Sequence, residues 1–306
     1  MATSSRPEPA ASHILALFGP TASGKTAVAG LLRERLDAEV ISADSASVYV
    51  GLPILTAAPP YPARLVAITA LGETMSVGAY QQLAHSAIDD VLAAGRLPLV
   101  AGGTGLYFRA ALAELGLPPA SDRRAFWEEE YERLGAEAAH ALLRSRDQRA
   151  ADRIHANDRK RVVRALELAE AGTSLAPASD RLWTTDTRLP TTIVALELPL
   201  AELDLRIERR TRAMAEQGVV EEARAALSAS PSLTAAKVLG LEQFATLPVD
   251  DAVAQVTQAT KRLARYQRKW LRRMTGVVTL DANRPVEEIA DEIVALERPG
   301  KRLSRH

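Results

Sequence analysis

Gly19-Pro20-Thr21-Ala22-Ser23-Gly24-Lys25-Thr26 matches the pattern G-x-x-x-x-G-K-[ST] at every constrained position. The run before it, residues 13–18, reads His-Ile-Leu-Ala-Leu-Phe and has the continuous apolar character of a buried parallel strand. Residues 27–36, which follow it, have the apolar spacing and the Ala, Leu, Arg and Glu content of a helix. A strand, a glycine turn and a helix in that order make a phosphate loop. Glycines let the backbone curl so that successive N–H groups face inward, and the helix N-terminus adds its positive end. Lys25 then supplies a point charge to the terminal phosphates, and the Thr26 hydroxyl suits Mg²⁺. A chance glycine turn would lack this flanking context. The stretch implies binding of a di- or triphosphate and leaves the chemistry open.

Outward from the loop, residues 38–42 read as a second strand ending at Ala43-Asp44-Ser45. Ligand-contacting residues lie at the carboxyl ends of parallel strands, which puts Asp44 on the edge of the phosphate loop. There it serves as a cap, as a water-mediated magnesium partner or as a base facing a substrate. Residues 48–62 carry Gly51 and four prolines and form a long loop on that edge. Residues 64–68 are a further strand candidate, and Ser76 caps a helix that Gly95 stops. Residues 97–100 form another buried strand, followed by Gly102-Gly103-Thr104-Gly105. That turn is weak evidence alone, but beside the first loop it brings Thr104 over the phosphates.

From about residue 117 to 172 the pattern turns wholly helical, with Trp127, Tyr131 and Leu134 on one stripe and a strong helix starting at Asn157. Residues 191–198 return to strand character. Helices at 203–217 and 251–274, a short strand at 277–280 and a helix at 285–296 follow. The expected architecture is therefore α/β: a P-loop NTPase-like parallel sheet flanked by helices, with an inserted all-helical subdomain. Residues 13–116 and 173–297 form the core with basic C-terminal helices, and 117–172 form the insert. Residues 1–12 read as a disordered lead, 298–306 as a basic tail.

The 306 residues include no cysteine, which excludes disulfides and cysteine-ligated metals. No signal-peptide pattern opens the chain, and no apolar run is long enough for a membrane span, so a cytoplasmic monomer is expected. Thirty-eight basic residues balance 38 acidic ones. The balance hides three basic clusters: residues 159–164, residues 206–212, and residues 261–273. Any one of them suits a solvated helix face, yet three beside a phosphate loop suit a polyanion.

Several motifs together resemble the tRNA dimethylallyltransferases. Besides residues 19–26, they are Asp44-Ser45-Ala46-Ser47-Val48-Tyr49, Ile54-Leu55-Thr56-Ala57-Ala58-Pro59, and Gly102-Gly103-Thr104-Gly105-Leu106-Tyr107. Arg153-Ile154-His155-Ala156-Asn157-Asp158 with Arg161, Arg164 and Glu167 follows in order, then Arg206, Arg210, Met214 and Gly218. The series closes on residues 260–270, ending in Gln267-Arg268-Lys269-Trp270. The resemblance covers nearly the whole chain. Departures from the pattern are Ser47 for a glutamine, Leu55 for a glycine, Ala58 for a lysine, Ala63-Arg64 for a histidine pair, and Tyr266 and Lys269 in the last motif.

The resemblance implies transfer of a dimethylallyl group from dimethylallyl diphosphate to the exocyclic amine of the adenine 3′-adjacent to the tRNA anticodon. Gly19, Pro20, Thr21, Ala22, Ser23, Gly24, Lys25 and Thr26 would cradle the departing diphosphate with Mg²⁺ on Thr26. Arg206 and Arg210 would neutralise its growing charge, Thr104 would donate to the bridging region, and Asp44 would take the amine proton. The tRNA anticodon stem-loop would meet Asp44, Ser45, Ala46, Ser47, Thr104, Arg123, Lys160, Arg161, Arg164 and Lys237, with the adenine flipped into a pocket. Trp270 reads as core packing. The competing readings are a prenyltransferase acting on free adenylate, which needs neither the insert nor the basic C-terminal helix, and a P-loop kinase with lid arginines drawn from Arg123, Arg124 or residues 159–164. A non-catalytic RNA-binding protein is the third.

Overall fold

The computed structural model describes residues 12–115, 123–176, 182 and 184–297. The expected lead, Ser12 excepted, and the expected tail lie outside them. The chain divides into two units, Met1–Ala113 with Leu182–His306, and Glu114–Arg181. The insert expected at 117–172 falls within the second.

The first unit is built on β1 (Ile14–Phe18), β2 (Ala38–Ser42), β3 (Leu97–Gly102), β4 (Thr191–Glu197) and β5 (Val277–Asp281). All pair in parallel, in the order β2-β3-β1-β4-β5. Its helices are α1 (Lys25–Arg35), α2 (Val77–Ala93) and α3 (Gly105–Leu112) before the second unit. That unit contributes α4 (Arg124–Leu134), α5 (Ala136–Arg146), α6 (Gln148–Ala151) and α7 (Arg159–Glu170). The first unit resumes with α8 (Leu200–Glu216), α9 (Val219–Ser228), α10 (Leu241–Thr246), α11 (Val249–Leu271) and α12 (Val286–Glu297).

Every residue of β1 is fully buried, because the strand is central and helices cover both faces of the sheet. On one face Leu15 and Leu17 join Val28 and Leu32 of α1, Leu203 and Ile207 of α8, and Ile289 and Ile293 of α12. Elsewhere in the core Phe18 meets Phe108 of α3 edge-on at 5.1 Å, and Tyr80 of α2 stacks on Tyr107 of α3 at 4.1 Å. From β1 the chain crosses to β2 on one side; from β3 it crosses to β4 on the other. The carboxyl ends of β1 and β3 therefore flank the crevice where open α/β sheets take their ligands. No helix among the described residues is long and apolar enough to cross a membrane.

Residues 64–68 are not a sheet strand. Arg64 forms one parallel bridge to Ile41, donating its N–H to Val40 O at 2.8 Å while its carbonyl accepts from Ser42 N at 2.9 Å. Left-handed backbone at Leu65 (φ 62°) and Ala67 (φ 51°) ends the extension there. The expected Ser76 cap forms, its Oγ accepting from Ala79 N at 3.1 Å.

In the second unit, Trp127, Tyr131, Leu143, Val162, Val163 and Leu166 share one buried cluster. The Trp127 indole N–H donates to Glu170 at 2.6 Å, and the Tyr131 hydroxyl to Ala156 O at 2.9 Å. Helix α7 starts two residues after Asn157, behind Asp158, whose carboxylate accepts from Arg161 N.

Candidate active site

The phosphate loop leaves β1 at Gly19, where a Cβ would lie 3.1 Å from the Leu196 carbonyl oxygen of the neighbouring strand. Pro20 O accepts from Ser23 N at 3.2 Å and from the Lys25 ammonium at 2.7 Å, which closes the turn. Left-handed backbone at Ala22 (φ 63°) and Gly24 (φ 91°) curls the chain into the first turn of α1. The free N–H groups of that turn and the helix dipole make an anion cradle. Thr26 stands exposed at its lip, its carbonyl accepting from the Tyr61 hydroxyl at 2.8 Å.

The other wall comes from the ends of β2 and β3. Gly102 sits against Ala43, whose carbonyl oxygen would be 2.2 Å from any Cβ at that position, so only glycine lets the strand ends converge. Asp44 follows at once. Its Oδ1 accepts from Ala46 N at 2.8 Å and Ser47 N at 3.4 Å, which orients the carboxylate, and Oδ2 has no hydrogen-bond partner among the described residues. The Thr104 hydroxyl lies 3.2 Å from Ser45 N and 3.4 Å from Ser45 Oγ. Ser47 turns inward: it is buried, with its hydroxyl 3.0 Å from that of Ser42.

The two walls interact electrically. Burial lowers the Lys25 pKa to about 8, opposed by the Asp44 carboxylate and reinforced by the Arg210 guanidinium. Burial also lowers Arg210, again opposed by Asp44. Its Nε is buried with no hydrogen-bond partner among the described residues, and so is the Ser23 hydroxyl in the loop. Tyr80 and Tyr107 stay neutral phenols, raised by burial and further by the charge of Asp44.

Of the two arginines expected here, Arg210 is the one coupled to Lys25 and Asp44. Arg206, one turn earlier on α8, donates to Glu202 at 2.8 Å and to Asn283 at 3.5 Å. Lys237 is exposed at the end of a one-turn 3-10 helix, Ala235–Lys237. In the second unit, Arg123 pairs with Glu170 at 3.1 Å, Lys160 is exposed, and Arg161 approaches Asp158 at 3.5 Å. Arg164 lies 2.9 Å from Glu167, whose side chain is 1% exposed, and so neutralises a buried charge.

Two contributors escaped the expected site set. Gln267 of α11 accepts from Thr21 N at 2.7 Å and is buried. Glu222 of α9 accepts from Ile54 N at 2.9 Å and Leu55 N at 2.7 Å, anchoring the loop beyond Asp44. Both reach the site across more than a hundred residues; Gln267 lies in the last of the family-like motifs but without an assigned role, and nothing in the local pattern marks Glu222. Trp270 is half-buried against Gly105, where a Cβ would come within 2.2 Å of its ring.

A parallel sheet with a phosphate loop at its switch point, a facing carboxylate and a half-buried arginine is the framework of a phosphate-loop α/β enzyme. Residues 47–274 match the family model for IPP transferase, and the chain belongs to that family. A tRNA dimethylallyltransferase of Anaeromyxobacter sp. (strain Fw109-5) is 42% identical over 280 residues, 87% of this chain and 93% of the relative. Among solved structures, the full-length tRNA isopentenylpyrophosphate transferase of Bacillus halodurans aligns with a TM-score of 0.66 at 29% identity, covering 93% of this chain and 96% of that one. A tRNA isopentenylpyrophosphate transferase of Staphylococcus epidermidis aligns with the same TM-score at 26% identity, over 92% and 97%.

Proposed function

We propose that this chain transfers a dimethylallyl group from dimethylallyl diphosphate to the exocyclic amine of the adenine 3′-adjacent to a tRNA anticodon. The observation that carries this is the meeting of Lys25, Arg210 and Asp44, two desolvated cations whose charged forms the one carboxylate supports. Such a site suits a reaction that expels an anion and removes a proton. Membership of the family and the names of its relatives support the choice of substrates.

In this reading the amine lone pair attacks the allylic carbon as its bond to the diphosphate oxygen breaks. The electron pair of that bond leaves with the diphosphate. Lys25, Arg210 and the N–H groups of the first turn of α1 stabilise the growing negative charge, and the Thr104 hydroxyl donates near the bridging oxygen. Asp44 Oδ2 takes the amine proton. No group of three His, Cys, Asp or Glu among the described residues could hold a metal. The exposed Thr26 at the lip of the cradle offers one hydroxyl, which suits Mg²⁺, an ion commonly bound through substrate phosphates and few protein oxygens. Thr26 would hold it, and the ion would add charge neutralisation at the diphosphate.

The direct test incubates the protein with Mg²⁺, dimethylallyl diphosphate and a tRNA carrying the target adenine, then follows pyrophosphate release and nucleoside mass. Prenylated adenosine should form, and pyrophosphate should appear only when the tRNA is present. ATP turnover to ADP with a phosphorylated small acceptor and no prenylated adenosine would establish the kinase instead. Against that alternative, Arg123, Arg124 and Arg159 each pair with a carboxylate inside the second unit, at 3.1, 3.1 and 2.7 Å.

The basic residues of α7 divide by burial. Exposed ion pairs are worth about 0–1 kcal/mol, whereas stripping a buried carboxylate of its partner costs about 3–5 kcal/mol. Lys160→Glu with Arg161→Glu should leave the melting temperature nearly unchanged. It should weaken tRNA binding and reduce the slope of log K against log salt by about one unit per lost phosphate contact. Arg164→Glu should instead melt the second unit early, because it faces buried Glu167. Thermal melts beside salt titrations of tRNA binding separate the two; equal melting of both variants would erase the distinction.

A further inference from the structure

Resting on the reading of residues 19–26 as a diphosphate cradle, we propose that Gln267 is a positioning residue that holds the phosphate loop in its binding shape from α11. Its Oε1 accepts the Thr21 N–H at 2.7 Å, and the residue is only 5% exposed. Its amide nitrogen lies against the second glycine turn: a Cβ at Gly103 would come within 2.6 Å of Nε2 and 2.9 Å of the Gly19 carbonyl oxygen. One amide therefore touches both glycine turns where they approach each other. Three residues further along the same helix face, Trp270 packs on Gly105.

The loop needs such a holder. Ala22, next to Thr21, is in left-handed backbone (φ 63°), which a residue with a Cβ keeps only when its surroundings enforce it. Among the described residues, the bonds closing the turn from within converge on Pro20 O, from Ser23 N and the Lys25 ammonium. A diphosphate in the cradle competes for that ammonium. The Gln267 contact is to a different atom, Thr21 N, and persists when Lys25 turns to a phosphate. It satisfies a donor that is not part of the helix N-terminus and leaves the N–H groups of α1 for the ligand.

The test is calorimetric titration of the whole chain with inorganic pyrophosphate and Mg²⁺, together with amide hydrogen exchange at Thr21. Wild type should bind pyrophosphate, and Lys25→Ala should bind it much more weakly. Gln267→Met, similar in length but without polar atoms, should bind about tenfold more weakly, since it leaves a buried donor unpaired. Its Thr21 amide should exchange at least about tenfold faster, with protection in β1 and β3 unchanged. At saturating dimethylallyl diphosphate its kcat should stay within about threefold of wild type, so the loss falls on KM. Gln267→Glu retains an acceptor oxygen and should keep Thr21 protected. Normal pyrophosphate affinity in Gln267→Met would overturn the proposal, as would a folded Gln267→Glu with an unprotected Thr21. Should Gln267→Met unfold, the Gln267→Glu exchange result decides alone. If wild type fails to bind pyrophosphate, or binds it equally well after Lys25→Ala, the cradle reading itself fails.

Discussion

Asp44→Asn should lower kcat by about two to four orders of magnitude while donor and tRNA affinities stay within a few-fold. The substitution is informative because it spares the local structure. Asparagine keeps an Oδ1 that accepts from Ala46 N and Ser47 N, the bonds that orient the wild-type carboxylate. It loses the basic Oδ2. The carboxylate also favours the charged form of Lys25, so its removal should carry the Lys25 pKa below about 8. The alkaline limb of kcat/KM for the donor should then move to lower pH in the variant. Single-turnover prenylation with equilibrium binding of both substrates checks these points together. Turnover within tenfold of wild type would remove Asp44 from the role of base.

Lys25→Ala should cost about 10²–10³ in kcat, as expected where one donor to a developing anion is lost. Donor affinity should fall too, since the ammonium meets the diphosphate before and during bond breaking. The wild-type protein offers a second readout. With its pKa lowered to about 8, Lys25 loses its proton as pH rises through that value in the free enzyme. Accordingly kcat/KM for the donor should decline by about tenfold per pH unit above about 8. A bound diphosphate favours the ammonium, so kcat should hold to higher pH. For stability the sign runs the other way. The folded pKa lies below the ordinary 10.5, so folding expels a proton between about 8 and 10.5, and the penalty for burying the charge lessens as pH rises through that window. A kcat/KM profile flat to pH 10 would show that the Lys25 charge is not needed for capture.

Local signals carried much of the site. The phosphate loop was legible because a glycine turn between a fully apolar strand and a helix has few other uses, and β1 and α1 are found there. Asp44 and Thr104 were legible as the first polar residues beyond two buried strands, and they flank the crevice. The helical insert was legible because the period of its apolar residues changes, and its buried cluster contains Trp127 and Tyr131. Residues 64–68 were misread, because an apolar run of that length says nothing about backbone signs, and Leu65 and Ala67 both take positive φ.

Other features were decided only in three dimensions. Arg206 and Arg210 are equivalent in the sequence, one helical turn apart, yet Glu202 engages the first and burial beside Lys25 and Asp44 claims the second. Arg161 and Arg164 likewise share one motif, but only Arg164 meets a carboxylate that the fold has taken out of water. Gln267 reaches Thr21 across 246 residues. Residue type and spacing determine what a short segment can become, because strand, turn and helix preferences act over a few residues. Which of two like charges is desolvated, and which distant amide closes a loop, depends on contacts between segments far apart in the chain, and only the packed tertiary structure supplies those.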